Sequence, residues 1–202
     1  MPAYTVQDWP DVDERYGMTK AEAREYFDFF MSVKDHRIEM LRELVYADTG
    51  LELSFTKRSL RDLHPWCQTQ ARIRWHSDEQ TALDRQDPML RVSIDTDGRL
   101  FKLTKRAESI GADLGIFCCE TLIRKEPALR WDLDTRRSIN INNPSVHGFR
   151  TNYHPVDPIG RGCSYLYRLA EVRLGRETPP IMRLDQALAL LQGWAPGRGD
   201  KA

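Results

Sequence analysis

Four cysteines in 202 residues are too few and too poorly spaced for a disulfide framework. Cys118 and Cys119 are adjacent, Cys67 and Cys163 stand alone, and no pair is C-x-x-C. Reduced, partly buried thiols are therefore expected, in a compartment that keeps them reduced. Long apolar runs are also lacking: none reaches the roughly 18 residues that a bilayer span requires. The acidic start, MPAYTVQDWPDVDERYG, has no charged-then-apolar leader pattern, so a cytoplasmic protein with no membrane partner is expected. The histidines, His36, His64, His76, His147 and His154, include no H-x-x-x-H pair, and no Cys/His run has zinc spacing. No metal and no cofactor is expected. G-x-x-x-x-G-K-[ST], G-x-G-x-x-G and G-x-S-x-G are all missing, so phosphate cradling and serine hydrolysis have no support. Neither sign of charge is in excess, with 30 Lys and Arg against 30 Asp and Glu. Generic nucleic-acid binding needs a basic face that displaces counterions, and a neutral total argues against it.

What is present centres on Thr104–Trp131, TKRAESIGADLGIFCCETLIRKEPALRW. Ile110, Leu114, Phe117, Cys118, Thr121 and Leu122 fall at helical spacing. Gly111, Ala112 and Gly115 lie on adjoining turns. Glycine costs about 1 kcal/mol against alanine inside a helix, so two of them one turn apart imply that another element packs close against this backbone. Pro127 ends the helix, and the chain turns into a strand near Leu129–Leu133.

The chain is long enough for one domain, and its 41% hydrophobic content is that of a globular core. The expected organisation is an irregular arm over 1–18 with Trp9 and Tyr16 as anchors, a single α+β domain over 19–195, and a disordered tail over 196–202. Thr19 and Glu22 form a capping box, and a helix with Ala23, Tyr26, Phe27 and Phe30 follows. Asp35 then caps a second helix carrying Ile38, Leu41, Leu44 and Val45, closed by Thr49-Gly50; the two read as a helical hairpin. Ser59 opens a short helix limited by Pro65. Trp75 to Asp87 reads as an exposed acidic loop, and Met89–Ile94 as a strand before the Asp97-Gly98 turn. Beyond Trp131, Ser138–Ile141 and Ser145–Phe149 are strand candidates separated by Asn142-Asn143-Pro144. With Leu129–Leu133 they would make a small antiparallel sheet packed with the central helix. Asp157-Pro158 starts a helix to about Leu174, and a last helix spans about Ile181–Trp194. The fold class is α+β, mostly helical.

No catalytic set stands out. Cys118 and Cys119 sit mid-helix on an apolar stripe, whereas reactive thiols favour helix N-termini or basic, accessible settings. Glu120 with Arg124 at i+4 is either a surface ion pair or, on a helix buried all round, part of a candidate pocket with Asn143 and His147. Gly160-Arg161-Gly162, in the first turn of a predicted helix, could receive an anion. Charge is unevenly spread. Residues 1–97 hold 13 Lys and Arg against 19 Asp and Glu, net −6, and the remainder carries +6. The two halves folding together would neutralise this; an acidic face meeting a basic partner would use it. The candidate partner-binding residues are Trp75, Asp78, Glu79, Asp84 and Asp87, an aromatic anchor among carboxylates.

In order, AREYFDFFMS, RIEMLRELV, SLRDLHPW, DLGIFCCETLIRKEPALRWDL and NNPSVHGF resemble a loose family of uncharacterised bacterial cytoplasmic proteins, immunity-protein-like, over about residues 19–195. Its members carry a serine-leucine helix ending in tryptophan, a helix with aspartate, glycine and a glutamate, a Pro-to-Trp turn and an asparagine-proline strand. This chain departs from the pattern with Phe117, Cys118 and Cys119 where tyrosine-leucine-glycine would precede the glutamate. The resemblance implies a fold and, by association, an immunity role. The expected function is a non-enzymatic protein-binding protein that neutralises a bacterial toxin, possessing a basic face, by direct binding. The alternatives are a small enzyme or ligand-binding domain with a pocket around Glu120, and a phage or prophage accessory structural protein.

Overall fold

The computed structural model describes residues 4–77, 79, 100–136, 141–150, 155–176 and 180–195, without the side chains of residues 12 and 13. Seven helices and two two-stranded antiparallel sheets are described, a mostly helical α+β fold. In chain order they are α1 (Val12–Gly17), α2 (Lys20–Thr49), α3 (Lys57–Asp62), α4 (His64–Gln70), β1 (Ile73–Trp75), β2 (Phe101–Leu103), α5 (Lys105–Lys125), β3 (Arg130–Asp134), β4 (Asn143–His147), α6 (Pro158–Arg173) and α7 (Leu184–Trp194).

The central helix is α5. Thr104 caps it by accepting from the Ala107 N–H, and every residue from Ser109 to Leu122 is buried. Its main neighbour is α6, and glycine sets how close the two lie. A Cβ on Gly115 would sit 1.8 Å from the Pro158 carbonyl oxygen, and one on Gly162 would sit 1.8 Å from that of Gly111. The helices therefore touch backbone to backbone, the packing anticipated from Gly111 and Gly115. Gly160-Arg161-Gly162 accordingly serves helix contact: Gly162 faces α5, and the Gly160 N–H is taken by the capping carboxylate of Asp157 at 3.0 Å.

The expected N-terminal hairpin is instead one 30-residue helix, about 45 Å long. Its buried residues, Ala23, Tyr26, Phe27, Phe30, Lys34, Arg37, Ile38, Leu41 and Val45, keep three- and four-residue spacing throughout. No proline or glycine interrupts it. Asp35 does not cap; its carboxylate is exposed and meets Lys34 Nζ at 2.6 Å. The stripe looked broken because two buried cations, Lys34 and Arg37, lie on it. The capping box at Thr19 and the left-handed cap at Gly50 (φ 73°) are as expected.

Three further expectations are corrected. The arm is not irregular throughout: Asp11 and Glu14 form a reciprocal capping box that starts α1. Trp9 packs on Phe30, ring centroids 5.8 Å apart, while Tyr16 stays exposed. Pro65 does not end the third helix but lies in the first turn of α4, where its missing N–H costs nothing. Asn143 and Pro144 lie within β4 rather than between strands. The turn is made at Asn142 (φ 58°), a conformation asparagine tolerates.

The β3–β4 register runs from Arg130↔His147 to Asp134↔Asn143. Of the third strand candidate, Ile141 lies in the turn, and Ser138–Asn140 lie outside the described residues, as do Met89–Ile94 and the tail from residue 196. The β1–β2 pair, with Trp75↔Phe101, is an addition the sequence reading did not anticipate.

Candidate binding groove

A groove of about 800 Å³ opens between α6, α7 and the segment 180–182. Its position follows from the glycine contact. Because the first turns of α6 rest on the backbone of α5, Cys118 and Cys119 reach the groove floor. Leu184, Ala187 and Leu191 of α7 form the opposite wall with Ile181 and Met182, and Trp194 closes one end. The lining is mostly apolar, and Met182 is 49% exposed.

The polar groups of the groove are mostly engaged by the chain itself. The Asp157 carboxylate caps α6. The Tyr165 hydroxyl meets Nδ1 of His64 at 2.5 Å. Burial lowers the pKa of His64 and raises that of Tyr165, so the neutral imidazole accepts and the phenol donates. Burial also pushes the Cys118 thiol up to about 12 and holds Cys119 well above its ordinary value, so both remain protonated at neutral pH. Arg161 and Arg168 differ. They are exposed on one face of α6, two turns apart, and make no hydrogen bond or ion pair with any described residue.

The candidate pocket residues of the sequence reading occupy separate places, and none lines the groove. Glu120 accepts from Arg124 Nε at 3.1 Å and from the Trp131 indole at 3.0 Å, with Lys34 Nζ at 3.5 Å. It thereby joins α2, α5 and β3. Arg124 lies over the Phe55 ring, 3.7 Å from its centroid. Asn143 and His147 stand at opposite ends of β4. Asn143 is fully buried, and both ends of its side-chain amide lack a partner among the described residues. His147, its pKa lowered by burial, keeps Nε2 unbonded among them. Of the partner-binding candidates, Trp75 is 38% exposed and meets Phe101 edge-on at 5.8 Å. Glu79 is exposed, and Asp78, Asp84 and Asp87 lie outside the described residues.

A buried polar cluster escaped the sequence reading. Arg37 of α2 pairs with Asp113 of α5 through two bonds of 2.9 and 2.6 Å. It also donates to Ser109 Oγ (2.9 Å), the Tyr4 hydroxyl (2.8 Å) and the Thr5 carbonyl (2.7 Å), while Tyr4 donates to Asp113. Burial raises the Asp113 carboxyl and the Arg37 guanidinium pulls it back, leaving it at about 6. The cluster stitches the N-terminal segment to the two long helices, a structural task. Its signal was in plain view: an aspartate between Ala112 and Leu114, on a helix expected to be buried, must be paired.

Among the described residues no group of three His, Cys, Asp or Glu could hold a metal ion, and no helix is long and apolar enough to cross a membrane. Comparison of the chain with family models, with curated proteins and with solved structures finds no match in any of the three.

Proposed function

We propose that this chain is a non-enzymatic protein-binding protein that neutralises a bacterial toxin by binding it, an immunity-type role exercised in the cytoplasm. The observation that carries the reading is the state of the groove. Its carboxylate and phenol already serve the chain's own structure, its thiols are held protonated, and two arginines at its rim are left to meet something else. Such a surface has the apolar centre and charged rim of an interface. Four free cysteines suit a reducing compartment. The acidic residues that follow Trp75 in the sequence would suit a basic face of the same toxin.

The test is capture of the tagged chain from its host with whatever is bound, followed by growth assays of the captured protein. A stoichiometric partner that arrests growth alone and is silent when co-expressed with this chain supports the reading; a partner whose toxicity is unaffected refutes it. The groove volume favours one second reading, because small-molecule sites occupy about 300–1,000 Å³. In that case native mass spectrometry of the purified chain retains a bound metabolite instead. The pocket around Glu120 has less support, since that carboxylate is already fully bonded.

A further inference from the structure

We infer that the occupant of the α6–α7 groove is an acidic amphipathic helix of the partner protein, laid along α6 with its apolar face on Ile181, Met182 and Ala187 and its carboxylates on Arg161 and Arg168. This rests on the protein-binding reading above and specifies its contact. Arg161 and Arg168 are seven residues apart on one helix, so their α-carbons are about 10.5 Å apart. A second helix lying alongside presents carboxylates at the same interval when they too are seven residues apart. The i, i+3, i+4, i+7 apolar stripe between them then faces the groove floor, the usual way a helix enters an apolar groove. Among the described residues neither arginine holds a partner, so pairing breaks no ion pair with any of them. The rim also decides against a second copy of α6, which would bring arginine against arginine.

The experiment displays a library of peptides of about 16 residues, some four turns, on phage and pans it against the full chain. The best peptide is then synthesised with a fluorophore, and its affinity is read by anisotropy. The expected winners carry an apolar helical stripe with Asp or Glu seven residues apart. Arg161→Glu/Arg168→Glu weakens them about tenfold or more and removes most of the salt dependence. Replacing the two peptide acids by arginine restores binding to that variant. Ala187→Arg, which fills the groove from a half-buried position on α7, abolishes binding. Both variants are first shown to unfold at the wild-type urea midpoint, so that loss of binding is not loss of fold.

Winners without paired acids, winners that bind Ala187→Arg as well as wild type, or failure to enrich any peptide while decanoate binds would each overturn the inference. Binding gained only when residues 196–202 are removed would also overturn it, by making the tail the occupant. A toxin still captured and silenced by Ala187→Arg would refute the groove and leave the immunity reading standing. A groove that takes acidic peptides in a chain that silences no toxin would do the reverse.

Discussion

Replacing Gly115 by alanine tests the packing on which the groove depends. Helix propensity alone favours the change by about 1 kcal/mol. The structure opposes it: the new methyl would lie 1.8 Å from the Pro158 carbonyl oxygen, whereas ordinary contact begins at 3.4 Å. The obstacle is backbone, which no rotamer change can move aside. The first turn of α6 must retreat by about 1.6 Å, the difference of those two distances, and it carries Gly162 and its contact with Gly111 along. Overpacking of this kind costs typically 1–3 kcal/mol, and a backbone obstacle places it at the upper end. Set against the propensity gain, the net loss is about 2 kcal/mol, or about 4–8 °C in Tm for a chain of this size. Gly111→Ala, whose methyl would stand 3.0 Å from Cys163 Cα, costs less. Gly193→Ala, on α7 with nothing within 4 Å, goes the other way, gaining up to about 1 kcal/mol. Urea unfolding of the three variants checks the order. A Gly115→Ala protein as stable as wild type would mean that α5 and α6 do not meet backbone to backbone.

Asp113→Ala leaves the Arg37 guanidinium buried without its carboxylate and should cost about 3–5 kcal/mol; a loss under about 1 kcal/mol in urea would show that the cluster is solvated. His64 and His147 both have pKa values lowered by burial, so the unfolded chain protonates first. Their stabilisation is complete above the unfolded pKa of about 6.5 and is lost as the pH falls from there through the folded pKa. The urea midpoint should therefore drop between pH 7.5 and 5.5 less steeply in His64→Gln or His147→Gln than in wild type, and unchanged slopes would refute the assignment. Burial raises all four thiols, Cys118 and Cys163 to about 12. With 5,5′-dithiobis(2-nitrobenzoate) at pH 8, the native chain should show no thiol reacting at the rate of free cysteine, and four in guanidinium; one fast thiol in the native state would contradict the burial.

Local signals in the sequence were reliable wherever a few neighbouring residues decide the outcome. Thr19, Gly50 and Asp157-Pro158 mark helix ends because a cap is settled by its own side chain and the N–H groups next to it, or by a glycine's freedom to turn left-handed. Gly111 and Gly115 announced a close neighbour because their propensity cost needs a reason. The same locality misled at α2, where Lys34 and Arg37 hid an uninterrupted buried stripe, since their partners Glu120 and Asp113 lie on another helix.

The sequence by itself determined a mostly helical α+β chain, a buried central helix and its tight packing face. Which helix fills that face, and what the packing leaves open, only the tertiary structure decided. Gly162 lies 51 positions beyond Gly111, and no local pattern pairs them. The groove is the space left between α6 and α7 once that contact is made. Its two arginines stand out because the Asp157 carboxylate and the Tyr165 hydroxyl beside them are already engaged, and that is a property of the assembled fold rather than of any stretch of chain.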